Sequence, residues 1–188
     1  MAGRPEHSGY TAAQKLSVAR ALVAALRAAG EDLDDPRPRG APDAVVSSPR
    51  GPIGIDVADA APEPPESGTA APPGLPEGGP DAALAQHLEA TLRGHCRRSY
   101  GMSTYFVMDV RGSPLTDRAD ARGVASALTI PAGCRFARVF VRLRPSGGGD
   151  PELYELRGAP RDGPSGERRT PASAAPARAY GAAPVRRS

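Results

Sequence analysis

Tryptophan and asparagine are absent from this 188-residue chain, lysine occurs once, as Lys15, and aromatic residues make up only 4% of it. A core drawn from such a composition has to be mainly aliphatic. The excess of arginine over lysine goes with GC-rich coding and by itself signals no adaptation. Two cysteines, Cys96 and Cys134, are too few for a disulfide framework, and without nearby partners they close no Cys-rich zinc site. Their neighbours suggest apolar filling, Cys96 on a leucine stripe and Cys134 ahead of a strand. No run of about 18 apolar residues occurs, so no membrane-spanning helix is expected. The opening MAGRPEHSGYTAAQ lacks the apolar stretch of a secretory signal, and a cytoplasmic location is expected from that. Neither a Walker lysine nor a GxGxxG before a helix is found, so no nucleotide cofactor is expected.

Glycine and proline, 22 of each, are what the chain has in excess. Much of the proline falls between 60 and 80 and after 158. We read residues 1–10 as a disordered N-terminus, 60–80 as a flexible Pro-rich insertion, and 159–188 as a disordered Arg/Ala/Pro tail. Residues 11–158, less the insertion, leave 127 residues for a single domain, enough for one core. Charge is also unevenly placed. Residues 1–92 sum to −6 and residues 93–144 to +7, so the overall +3 conceals a basic segment.

Leu16, Ala19, Leu22, Val23 and Leu26 recur at helical spacing, Thr11 and Gln14 form a capping box, and Gly30 closes the segment. A loop over 31–39 follows. Ala44–Ser47 and Ile53–Val57 are short strand-like runs joined by a Pro/Gly turn, an antiparallel hairpin. Its alternation puts Asp56 on the face opposite Ile53, Ile55 and Val57. Asp81 is a cap for a second helix carrying Leu84, Leu88, Leu92 and Cys96 and reaching about Tyr100. YFVMDV, 105–110, has the density of a central strand. A short helix from near Thr116 to Leu128, with Asp117 and Asp120 in its first turn, precedes a strand over 135–143 and a hairpin to Leu153–Leu156. The fold class expected is α+β, a small mixed sheet flanked by helices in the order α-β-β-α-β-α-β-β.

A helix, then Pro42-Asp43 opening a strand, then a short turn into IGIDV, resembles the PD-(D/E)XK nuclease superfamily. The resemblance implies a restriction-endonuclease-like core and a metal-dependent nuclease acting on or binding nucleic acid. It gives Asp43 and Asp56 as the two acids that hold Mg²⁺ or Mn²⁺, and Ala58 stands where the family's lysine would be. Gln86, on the second helix beside His87, is the candidate third catalytic partner. Two close carboxylates repel unless a cation neutralises them, and a bound metal would acidify water for phosphodiester hydrolysis. The same residues also fit a plain strand-opening pair at Pro42-Asp43 and a loop cap at Asp56.

Arg93, Arg97 and Arg98 share the second helix and are placed to approach phosphates. Arg138 and Arg142 flank Phe140 on one strand face, an alternation used to stack and neutralise single-stranded nucleic acid, and equally found on a solvated outer face. The alternative function is a non-catalytic interaction protein whose basic segment binds an acidic partner.

Overall fold

The computed structural model describes residues 10–60, 79–111, 118–144, 150–156 and 178–180. The expectations for residues 1–9, for most of the insertion and tail, and for Thr116 and Asp117 lie outside the described residues. Helix α1, Ala12–Ala28, begins as its capping box requires: Thr11 Oγ1 accepts from the Gln14 N–H at 3.2 Å and Gln14 Oε1 from the Thr11 N–H at 2.8 Å. It ends where Gly30 takes a φ of +94°. There the Gly30 and Glu31 amides bond back to the Arg27 and Leu26 carbonyls, a Schellman closure. Val18, Ala19, Leu22, Val23 and Leu26 are its buried stripe.

Seven strands follow one another across a single sheet in chain order: β1 (Arg37–Pro38), β2 (Ala44–Ser48), β3 (Gly51–Asp59), β4 (Thr104–Val110), β5 (Arg138–Leu143), β6 (Glu152–Leu156) and β7 (Arg178–Tyr180). β3, β4 and β5 are parallel, and the outer pairs are antiparallel. Each parallel step needs a crossover. Helices α2 (Gly79–His95) and α3 (Arg118–Ala127) supply them. Both steps run in the same direction across the sheet, so right-handed connections put both helices on one face. Leu84, Leu88 and Leu92 of α2 and Val124 of α3 pack there on Phe106, Met108, Val139 and Val141. The other face, with Ile55, Val57, Val107 and Phe140, is covered by α1. β4 is buried at all seven positions, as a strand with helices on both sides has to be. The architecture is α+β, an open mixed sheet flanked by helices.

Several boundaries differ from the sequence reading. The loop over 31–39 contains β1, whose proline sits on the sheet edge, where a missing N–H costs no ladder bond. Ala60, assigned to the insertion, is fully buried. α2 starts at Gly79, upstream of the expected Asp81 cap, because Pro80 is tolerated in a first turn that has no partner for its N–H. The same helix stops at His95 rather than Tyr100, since the chain must turn back to feed β4. Phe136 precedes β5 and so escapes its alternation. It stacks on Phe106 at 4.7 Å, on the α2 side of the sheet. Within the expected disordered tail, Arg178–Tyr180 forms a strand on β6. At Gly54 an added Cβ would lie 2.6 Å from Pro42 Cγ and 3.0 Å from Thr104 Oγ1, so only glycine lets the start of β2 and β4 approach this closely.

The largest departure concerns the cysteines. Cys96 and Cys134 form a disulfide with Cα atoms 4.5 Å apart, closing a 38-residue separation and tying the end of α2 to the turn before β5. The leucine stripe does carry Cys96 into the core, and the Pro131–Cys134 turn brings its partner alongside. Closing a loop of this length is worth about 4 kcal/mol in the chain-entropy account. Reductant, or Cys96→Ser with Cys134→Ser, is expected to lower the unfolding free energy by about 2–4 kcal/mol in urea titrations. Identical curves with and without reductant would show that the bond does not form in solution.

Candidate functional site

Asp43 sits just before β2, where its two oxygens are both committed. Oδ1 accepts from Lys15 Nζ of α1 at 2.8 Å, and Oδ2 accepts from the Val57 N–H at 2.8 Å. It thus ties α1 to β3 with the chain's single lysine. Asp56, 3% exposed in the middle of β3, points to the other face. There it meets His95 Nδ1 at 3.3 Å and Arg98 Nη1 at 3.6 Å, with a further hydrogen bond to Tyr100. The two acids that the nuclease resemblance pairs are therefore engaged by cations on opposite sides of the sheet. They form no shared oxygen cage for Mg²⁺ or Mn²⁺, and among the described residues no group of three or more His, Cys, Asp or Glu is placed to hold a metal. Asp56 is also a buried, bonded group rather than a loop cap. Ala58 is core, and Gln86 is exposed on α2, turned away from the Leu84 and Leu88 stripe and so from Asp56.

The arginines divide in the same way. Arg138 gives a two-pronged bond to Glu155, at 2.6 and 2.8 Å, and a third to Glu31, and its guanidinium lies 5.3 Å from the Tyr105 ring centre and 5.0 Å from that of Phe140. That network joins the segment after α1 to β6 and engages Arg138, expected from the sequence to meet nucleic acid, within the fold. Phe140 is fully buried under α1, so this strand face is no stacking platform. Arg142 reaches Asp109 at 2.9 Å, on the same covered face. By contrast, Arg93 is exposed with Glu89 no nearer than 4.0 Å, Arg97 is exposed and makes no ion pair among the described residues, and the Arg98 side chain is half exposed beside Asp56. Arg135 joins them. Its N–H bonds the Cys96 carbonyl at 3.3 Å, which places it next to Arg97 across the disulfide.

No family model, curated protein or solved structure matches the chain. No helix among the described residues is long and apolar enough to cross a membrane. The site must be judged on its own geometry.

A second polar array lies at the carboxyl ends of the parallel strands, where the sequence reading placed only Arg142. Asp59, Asp109 and Arg142 are in register on β3, β4 and β5. Asp109, 4% exposed, accepts from Arg142 and from the Tyr10 hydroxyl, while Arg111 pairs with Asp59 and covers the Tyr10 ring at 3.9 Å. Burial, and then the bond to Asp109, push the Tyr10 phenol above its ordinary value. Tyr10, counted with the disordered N-terminus by sequence, is therefore anchored to the sheet. One signal was available: each parallel strand ends an apolar run on charged residues, VAD, MDVR and VRLR.

Asp56 gives the site a pH signature. Burial alone would raise its carboxyl, but the hydrogen bonds from His95 and Tyr100 and the charges of His95 and Arg98 outweigh this and hold it below the ordinary aspartate value. A carboxyl lowered on folding contributes stability that is fully present above its unfolded value, about 3.9, and is lost as pH falls through the folded value. Wild type is expected to lose stability below about pH 4, with a smaller acid loss in Asp56→Asn, read from urea midpoints across that range. Equal acid slopes would mean that these partners do not hold Asp56 ionised.

Proposed function

We propose that the protein binds nucleic acid, without cleaving it, through the arginine surface at the end of α2. The observation that carries this reading is the gathering of Arg93, Arg97, Arg98 and Arg135 on one exposed edge, while Arg138 and Arg142 are consumed inside the fold. Exposed guanidinium groups suit phosphate oxygens, which accept from any direction. The aromatic residues next to these four are engaged elsewhere, Tyr100 part-buried and hydrogen-bonded to Asp56 and Phe136 buried in the core, so recognition is of the backbone and independent of sequence. Such binding is salt-dependent, with each neutralised phosphate adding about 0.9 to the slope of log K against log salt. Arg97→Ala and Arg135→Ala are each expected to weaken binding to a labelled 20-mer and lower that slope by about 1, by fluorescence anisotropy across a salt series. Undiminished binding and slope in the double variant would sink the proposal.

Hydrolysis is the second reading, favoured by one observation: α1, the β2–β3 hairpin and α2 follow in the order that the PD-(D/E)XK resemblance implies. It requires Asp43 to leave Lys15 and Asp56 to leave His95 and Arg98. With Mg²⁺ or Mn²⁺ and plasmid or single-stranded substrate, the binding reading expects no more cleavage by wild type than by Asp43→Asn or Asp56→Asn. Metal-dependent cleavage lost in both variants would replace it with the nuclease reading.

A further inference from the structure

The array at the carboxyl ends of β4 and β5 borders a cavity of about 370 Å³, closed on one side by the first turns of α1. We infer that this cavity is a binding site for a small phosphomonoester, separate from the arginine surface at the other end of the parallel strands. Its position is where open sheets with parallel strands ordinarily take ligands, beyond the strands' carboxyl ends. Its volume falls at the lower end of the range for small-molecule pockets, about 300–1,000 Å³.

The chemistry of the lining decides the ligand class. Arg142 and Arg144 are two residues apart and project toward α1 from β5 and its end, and Arg111 comes from the end of β4. Two of the three carry a carboxylate partner, Arg111 with Asp59 and Arg142 with Asp109, and Arg144 makes no ion pair among the described residues. The site thus keeps one uncompensated positive charge. Asp109 does not repel an incoming anion strongly, because its two oxygens are occupied by Tyr10 and Arg142. Arg142 uses one N–H on Asp109 and has further donors in its fork. Donors converging from two strand ends, together with the Ser17 hydroxyl on α1, match a tetrahedral group with several acceptor oxygens better than a planar carboxylate, which a single fork would satisfy. Tyr10, Gln14, Val18, Val110 and Pro151 complete the lining, and the Tyr10 ring and Pro151 leave apolar surface for the organic part of an ester.

The test uses the full chain, isotope-labelled, titrated with inorganic phosphate and with glycerol phosphate at constant ionic strength, with amide and arginine side-chain shifts read by NMR. Shifts are expected at Ser17, Arg111, Arg142 and Arg144, with glycerol phosphate binding several-fold more tightly. Arg144→Ala, at an exposed position, is expected to weaken both ligands about tenfold while leaving the thermal midpoint unchanged. Shifts confined to Arg97 and Arg135, or titrations unaffected by Arg144→Ala, would overturn the assignment and leave nucleic-acid binding at α2 untouched. Inorganic phosphate binding as tightly as the ester would overturn the ester assignment.

Discussion

Everything in this fold follows from β4 being buried on both faces and parallel to both neighbours. A strand in that position cannot be reached by tight turns, so the chain must leave the sheet twice and return through helices. Both returns run the same way across the sheet, which crowds α2 and α3 onto one face and leaves the other to α1. The parallel strands then end together. Whatever polar residues terminate β3, β4 and β5 are gathered at one edge without any further device, and this is why Asp59, Asp109 and Arg142 lie in register.

Compensation of the buried carboxylates sorts the arginines. Taking Asp56 or Asp109 out of water is costly unless a donor or a cation accompanies it. Asp109 accordingly commits Arg142 and Tyr10, and Asp56 commits His95 and part of Arg98. What remains for a partner is set by subtraction. The basic segment 93–144 has a formal charge of +7, yet its outward reach rests on the few guanidinium groups that no internal acid claims. Net charge by segment does not distinguish these groups from the arginines paired inside the fold.

Features encoded over a few neighbouring residues were legible in the sequence. Thr11, Gln14 and Gly30 bound α1 because capping is local, and the alternation around Ile55 and Val57 assigned Asp56 to the correct face because a strand has period 2. The partners of Asp56 were not legible, because they come from the end of α2, some forty residues along, and from a helix that stops earlier than its leucine stripe suggests. Asp43 was read toward a metal since nothing local shows Lys15 arriving from α1. Asp109 was hidden inside YFVMDV, where an acid looks like an interruption in an apolar run until the neighbouring strands are placed beside it. The Cys96–Cys134 bond joins residues whose spacing carries no signal at all.

That bond also governs how the outward charge is presented. Arg97 adjoins one cysteine and Arg135 the other, so their separation is held by the covalent link and by the Arg135 N–H on the Cys96 carbonyl. Like charges on neighbouring segments repel, and loose surface loops would relieve the repulsion by moving apart. A crosslink prevents that relaxation and keeps the charge density high at one edge. The crosslink thus fixes the two backbone segments that carry Arg97 and Arg135 beside each other, which is the arrangement the proposed phosphate binding requires.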